Sequence, residues 1–197
     1  MNVKKPIIAI TMGDPASIGP EISLKALSEI SIYDKCCPLI VGDANVLGKA
    51  NELHRELRLV IHPISDVSDA HFKVGEVDIL DMKLVDIEKL KYGQVSKMAG
   101  EAAFQYVVKA IDLANKGKVD ATVTNAINKA AINLAGHHFA GHTEIYAHYT
   151  NTKHYTMMLA HDNLRVVHIS THVSLREACD LVKRDRVLEV IKIADDA

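Results

Sequence analysis

The segment Gly141-His142-Thr143-Glu144 carries two side chains that can donate hydrogen bonds to a phosphate group. His142 and Thr143 follow a flexible glycine and stand just before a predicted helix, and a helix N-terminus supplies free backbone N–H groups that favour an anion. Two interpretations fit these residues. Either they form a phosphate-binding site, or Thr143 caps the helix and His142 is a surface histidine.

A second histidine, His172, lies between the apolar run at 164–170 and a helix predicted to begin at Ser174. We expect its ring to project from the carboxyl end of the sheet, where a neutral imidazole can bind a metal ion. A structural role is the alternative for an isolated histidine. The other histidines, among them His62 and His71, show no metal-ligand spacing such as HExxH, so we interpret them as surface or core residues.

Two further loops carry residues suited to ligand binding. Residues 13–21 read GDPASIGPE, and glycines at 13 and 19 allow close backbone approach to a ligand, although the pattern is neither a dinucleotide fingerprint nor a P-loop. Lys129, in the segment TNAINK, stands at the start of a predicted helix, where its ammonium and the backbone donors can hold an anion. A structural turn and a solvated lysine are the alternatives.

The elements that position these residues follow the pattern of an α/β protein. Short β-branched runs alternate with segments of helical period, which is typical of a largely parallel sheet covered on both faces. Because such sheets bind ligands beyond the carboxyl ends of their strands, we expect all four segments to lie there. The runs within 57–82 are predicted to be edge strands or a hairpin. The other predicted strands are 6–12, 38–43, 120–125, 155–161 and 164–170.

Helix signals are clearest at residues 96–116, where alanines and larger apolar residues recur at steps of three and four. Ser96 is the predicted N-cap of this helix and Gly117 its C-terminal stop. Further helices are predicted from about Pro20, from Ser174, whose sequence SLRE fits a capping box, and over residues 184–196.

Composition excludes several classes of protein. Lys and Arg number 23 against 25 Asp and Glu, for a formal net charge of -2, and no basic cluster follows a phosphate backbone, so no nucleic-acid partner is predicted. No apolar run approaches the roughly 20 residues that span a bilayer. The first apolar stretch is interrupted at Gly13-Asp14-Pro15, too early for a signal peptide. We therefore expect a soluble, cytoplasmic protein that makes no membrane contact.

Four motifs in order carry a family resemblance over nearly the whole chain. ITMGDPASIGPEI, TNAINKAAINLAG, GHTEIYA and MMLAHDNLRVVHISTHVSLREA resemble the 4-hydroxythreonine-4-phosphate dehydrogenases. Within that family the chain is similar to the branch described as D-threonate or D-erythronate 4-phosphate dehydrogenases. The vitamin-B6 enzymes more often carry a Gly-Pro pair where Asn125-Ala126 stand here.

This resemblance implies a fold like the isocitrate and isopropylmalate dehydrogenases, a three-layer α/β/α arrangement with two interleaved domains whose boundary we place near 125–140. It also implies a homodimer with the active site at the interface. His142 and Thr143 match the family's substrate-binding pair, and His172 matches the first of three metal-ligating histidines. The other two lie in later segments of the form NPHAGE and YHDQG, which this chain lacks. We therefore expect the N-terminal portion of a longer chain, inactive by itself.

The activity implied is an NAD-dependent oxidation and decarboxylation that also uses a divalent ion (Zn, Mg, Mn or Co). It would convert 4-phospho-D-threonate or 4-phospho-D-erythronate to dihydroxyacetone phosphate, with Lys129 assisting with the phosphate or a proton. The alternative within the family is the 4-hydroxythreonine-4-phosphate dehydrogenase of pyridoxal phosphate biosynthesis. Alternatives of another class are a non-catalytic phospho-metabolite binding module and a phosphate acyltransferase of related fold. NAD is implied by the resemblance alone, since the sequence carries no dinucleotide fingerprint.

Overall fold

The chain divides into two structural units, one ending at Tyr146 and the other beginning at Ala147. A computed structural model describes residues 5–197. Residues 1–4 lie outside the described residues. They begin the stretch that was compared with a signal peptide above. None of the helices in the described chain is long and apolar enough to cross a membrane.

A five-stranded sheet forms the centre of the first unit. Its strands run parallel in the spatial order β3-β4-β2-β1-β5, which confirms the α/β class. The interpretation of residues 57–82 as a hairpin is wrong, because β3 and β4 pair in parallel; β3 is an edge strand and β4 an interior one. The strands are β1 (Ile7–Thr11), β2 (Cys37–Gly42), β3 (Val60–Ile64), β4 (Glu76–Asp81) and β5 (Ala121–Thr124).

Helices cover both faces of this sheet. Consecutive residues of β2 and β4 are buried, and because successive side chains of a strand point to opposite faces, both faces are shielded from solvent. The longest helix, α4, begins after Ser96, whose side chain accepts a hydrogen bond from the Ala99 N–H at 3.2 Å, and the chain turns after it at Gly117 with φ 65°. Both terminal signals are therefore confirmed. The helices are α1 (Gly19–Leu27), α2 (Ile30–Lys35), α3 (Ala44–Leu53), α4 (Lys97–Asn115) and α5 (Lys129–Leu134), followed by α6 (His142–Tyr149).

The second unit contains a hairpin and two helices. β6 (Met158–His161) and β7 (Leu164–Val167) pair with each other in antiparallel register, and neither belongs to the five-stranded sheet. The expectation that the run before His172 is a strand of the main sheet is therefore wrong. α7 (Leu175–Leu181) begins with the predicted capping box between Ser174 and Glu177, and α8 (Arg184–Asp195) closes the described chain.

Candidate functional site

The carboxyl ends of β1 and β5 define the place where this fold favours a ligand. After β1 the chain forms β2, β3 and β4, which all lie on one side of β1 in the sheet, and it returns on the other side as β5. The loops that follow β1 and β5 therefore diverge from a topological switch point, where open parallel sheets leave a crevice. These two loops, residues 12–18 and 125–128, overlap two of the predicted ligand-binding segments, 13–21 and 124–129.

Hydrogen bonds hold the β5 loop against the β1 loop and the helix that follows it. The Asp14 N–H donates to the Ala126 carbonyl oxygen at 3.0 Å, and the side-chain amide of Asn125 donates to Ser23 Oγ in α1 at 2.7 Å. A Cβ atom at Gly13, which has φ 76°, would lie 2.6 Å from the same Ala126 oxygen. Gly13 therefore admits protein backbone, which favours the structural interpretation of this glycine.

His142 lies at the first turn of α6, half-buried beside the β5 loop. Its ring forms a hydrogen bond with the backbone of Asn125, while Nε2 is buried and has no hydrogen-bond partner among the described residues. Burial lowers the pKa of His142, and the hydrogen bond to Asn125 opposes that shift. A buried ring nitrogen without a partner is a costly feature unless a ligand supplies one.

The neighbouring predicted residues occupy different environments. Thr143 is half-buried and follows His142 in the first turn of α6. Lys129 is exposed as the first residue of α5, directly after Asn128, whose side chain caps the helix by accepting from the Ala131 N–H at 3.1 Å. The structure thus brings His142 against the β5 loop and places Lys129 at the far end of that loop.

A cavity of about 480 Å³ opens beside the β1 loop, within the size range of small-molecule sites. Asp14, Glu21 and Asn128 supply polar groups to its lining, whereas Lys129, His142 and Thr143 do not line it. The Asp14 carboxylate is buried and accepts a hydrogen bond from the Ala16 N–H at 2.8 Å. Burial raises the pKa of Asp14.

Sequence patterns did not single out Asp14 or Asn125. Asp14 stood within a recognised glycine-containing loop, and an acidic residue directly after a strand was the available signal. The role of Asn125 depends on contacts with residues more than 100 positions away, at Gly19 and Ser23. Local spacing does not reveal such contacts.

His172 lies in the second unit, exposed in a turn before α7 and with the left-handed φ of 58°. No group of three or more potential metal ligands in residues 5–197 includes it. One exposed imidazole does not hold a divalent ion, so the surroundings of His172 do not by themselves constitute a metal site.

Comparison with known families decides the class of the chain. A sequence profile of the family described as "Pyridoxal phosphate biosynthetic protein PdxA" matches residues 34–197. The chain belongs to this family. The resemblance carried by the four motifs is therefore confirmed.

Proteins similar to this chain carry two names. Proteins provisionally named D-threonate 4-phosphate dehydrogenase are 42% identical over 187 residues in Clostridium botulinum (strain Hall) and 43% identical over 188 residues in Symbiobacterium thermophilum. Each alignment covers 95% of this chain and 56% of the relative, so the chain spans little more than half the length of these relatives.

A solved structure carries the second name. The 4-hydroxythreonine-4-phosphate dehydrogenase of Klebsiella pneumoniae matches with a TM-score of 0.92 and 38% identity, covering 100% of this chain and 59% of that chain. The predicted dehydrogenase-type α/β fold is thereby confirmed.

Proposed function

We propose that the protein containing this chain is an NAD-dependent dehydrogenase of a four-carbon hydroxy acid phosphorylated at C4. The substrate would be 4-phospho-D-threonate or 4-phospho-D-erythronate. Oxidation of the C3 hydroxyl would pass a hydride to NAD and a proton to solvent, giving a β-keto acid. Loss of carbon dioxide would then leave dihydroxyacetone phosphate.

The observation that carries this proposal is the unpartnered Nε2 atom of His142 at the switch point of the sheet. A phosphate oxygen of the substrate would supply the hydrogen-bond partner that this nitrogen lacks. Membership of the PdxA family and the relatives named D-threonate 4-phosphate dehydrogenase support the choice of substrate.

In this proposal His142 and Thr143 hold the substrate phosphate, and the binding energy places C3 for reaction. We assign the hydrogen bond with Asn125 to Nδ1, so Nε2 must gain a second proton before it can donate to phosphate. The imidazolium would then form a charge-assisted bond to the phosphate dianion. Lys129 would add a second positive charge or move a proton.

The assignment of His172 as one ligand of a divalent ion remains a proposal about the whole protein. The described residues do not complete a metal site around it, so its role is testable only in the product of the whole gene. NAD likewise rests on the dehydrogenase names of the relatives. We also propose a homodimer, which light scattering would detect.

The name of the Klebsiella pneumoniae structure favours a second candidate substrate, 4-hydroxythreonine 4-phosphate. This compound carries an ammonium group at C2, where 4-phosphothreonate carries a hydroxyl. The two substrates therefore test which group the enzyme recognises at C2, with the phosphate held in common.

A substrate panel tests the proposal. NADH formation by the product of the whole gene would be followed with each of the three phosphorylated substrates, with and without divalent metal. Turnover fastest with 4-phospho-D-threonate or 4-phospho-D-erythronate supports the proposal. A preference for 4-hydroxythreonine 4-phosphate supports the second candidate. Tight binding of all three without NADH formation indicates a phospho-metabolite binding module and overturns both.

A further inference from the structure

Two histidines and two carboxylates meet at the edge of the sheet opposite to β5. His62 of β3 and Asp78 of β4 are direct partners across the parallel pair, and Glu76 lies two residues before Asp78, on the same face of β4. His62 Nδ1 lies 2.7 Å from Asp78 Oδ1 and 3.5 Å from Glu76 Oε1. Glu76 and Asp78 lie in the amino-terminal half of β4 and His62 lies at the middle of β3, away from the carboxyl ends that bear the candidate functional site.

The loop before β4 brings in the second histidine. Asp78, buried on β4 beside the edge strand, accepts hydrogen bonds from the backbone N–H groups of His71 at 3.1 Å and Phe72 at 2.7 Å. These bonds fix the loop so that His71 Nδ1 lies 2.6 Å from Glu76 Oε1. The rings of His62 and His71 stack with centroids 4.0 Å apart and an angle of 15° between their planes.

Both Nδ1 atoms therefore converge on one oxygen of Glu76. The four potential ligand atoms, two nitrogens and two oxygens, all lie within 4.8 Å of one another. Among the described residues, the ion pairs of Glu76 and Asp78 are formed with these histidines and with no lysine or arginine. The cluster thus has two carboxylates whose charge no cationic side chain offsets.

This donor set suits a zinc-class cation. Zinc is bound by imidazole nitrogen and carboxylate oxygen at about 2.0–2.2 Å in a tetrahedron, which places ligand atoms about 3.3 Å apart. The hydrogen-bonded pairs at 2.7 and 2.6 Å would open to about 3.3 Å, and pairs as far apart as 4.8 Å would close by about 1.5 Å. His71, with its side chain 55% exposed, is free to make such a shift.

We propose that His62, His71, Glu76 and Asp78 bind one zinc-class divalent cation. The ion would replace the hydrogens that now bridge each Nδ1 to a carboxylate, with each imidazole keeping a proton only on Nε2. It would tie the loop at residues 70–75 to the edge of the sheet. The site is independent of the proposed dehydrogenase reaction, and magnesium, which prefers oxygen ligands and octahedral geometry, would bind it poorly.

Metal titration of the metal-free 197-residue chain tests this proposal. The titration would be done in a His172→Ala background, so that the proposed catalytic ligand does not contribute. We expect one equivalent of Zn²⁺ to bind by calorimetry and Co²⁺ to give the strong visible absorption of a four-coordinate site. His71→Ala should weaken Zn²⁺ binding at least about 10-fold, because it removes one of four ligands, whereas His138→Ala, at an exposed loop histidine of the same unit, should not.

Circular dichroism would verify that His71→Ala is folded, and His62→Gln provides a second ligand variant. Loss of binding in both variants with retention in His138→Ala supports the site. The proposal is overturned if Zn²⁺ does not bind, or if it binds equally well to the folded His71→Ala and His62→Gln chains.

Discussion

The imidazole of His142 forms a hydrogen bond with the backbone of Asn125, and its other nitrogen, Nε2, is buried without a partner. In the proposed site this bond fixes the tautomer of the neutral ring, with Nδ1 carrying the proton that is donated to the Asn125 carbonyl. Nε2 then presents a lone pair. A phosphate oxygen, which also presents lone pairs, can bind there only after the ring gains a proton.

Binding of the phosphorylated substrate should therefore be accompanied by proton uptake. Burial keeps the pKa of His142 below its usual value in the free protein, and the phosphate dianion should raise it on binding. Calorimetry of the whole gene product in buffers of different ionisation enthalpy measures this uptake. Near pH 7.5 we expect the unmodified protein and Thr143→Val each to take up close to one proton per site on binding. We expect His142→Gln to take up none. Equal uptake in His142→Gln would contradict the assignment.

The same pKa shift affects folding stability. Because the folded-state pKa of His142 is lowered from 6.5, the unfolded chain binds more protons between the two values. The stability contribution is therefore fully present above about pH 6.5 and is lost as the pH falls through the folded-state value. Urea unfolding of the 197-residue chain should show a decline in the free energy of unfolding from pH 7 to pH 5 that is smaller in His142→Gln. An identical decline in both chains would argue against a buried His142.

Gly19 provides a test of the packing that positions the β1 loop. A Cβ at this residue would lie 2.1 Å from the Met12 carbonyl oxygen, and backbone cannot move aside as a flexible side chain can. Gly19→Ala should destabilise the chain by about 3 kcal/mol or more. Gly48→Ala is the matched control within α3, where an added Cβ meets nothing within 4 Å, and it should stabilise by about 0.5–1 kcal/mol. Chemical denaturation compares the two, and equal effects would refute the close contact.

A buried hydrogen bond between α4 and the residue that follows β2 gives a further prediction. Tyr106 of α4 donates to Asp43 Oδ2 at 2.6 Å, and both residues are buried. Burial, followed by the charge of Asp43, raises the pKa of Tyr106. Tyr106→Phe should cost about 1.5–3 kcal/mol, since Asp43 would lose a donor to a buried charge. A cycle of Tyr106→Phe and Asp43→Asn, measured by urea unfolding, should show coupling between the two substitutions; strict additivity would contradict it.

Much of the first unit could be predicted from the sequence because its signals are local. The helix at 96–116 was recognisable from its period, from Ser96 and from Gly117, and the structure confirms all three. The α/β class followed from alternating strands and helices. The pairing of the strands was harder to predict, because the apolar runs within 57–82 do not reveal whether β3 and β4 pair in parallel or antiparallel register.

The candidate sites show the same contrast between local sequence signals and contacts that depend on the fold. His142 was identified from its neighbours in sequence, yet its bond to Asn125 and its buried Nε2 depend on the packing of α6 against the β5 loop. His62 and His71 were interpreted as surface or core residues. Only the parallel register of β3 and β4, together with the fold of the intervening loop, brings them against Glu76 and Asp78.

The most direct test of the central claim is the preference of the enzyme for a phosphorylated substrate. The kcat/KM of the whole gene product would be measured with 4-phospho-D-threonate and with D-threonate, for the unmodified protein and for His142→Gln, with His138→Gln as control. Loss of one charge-assisted hydrogen bond should reduce the preference for the phosphorylated substrate about 10- to 100-fold in His142→Gln and leave it unchanged in His138→Gln. An undiminished preference in a folded His142→Gln enzyme would contradict the account.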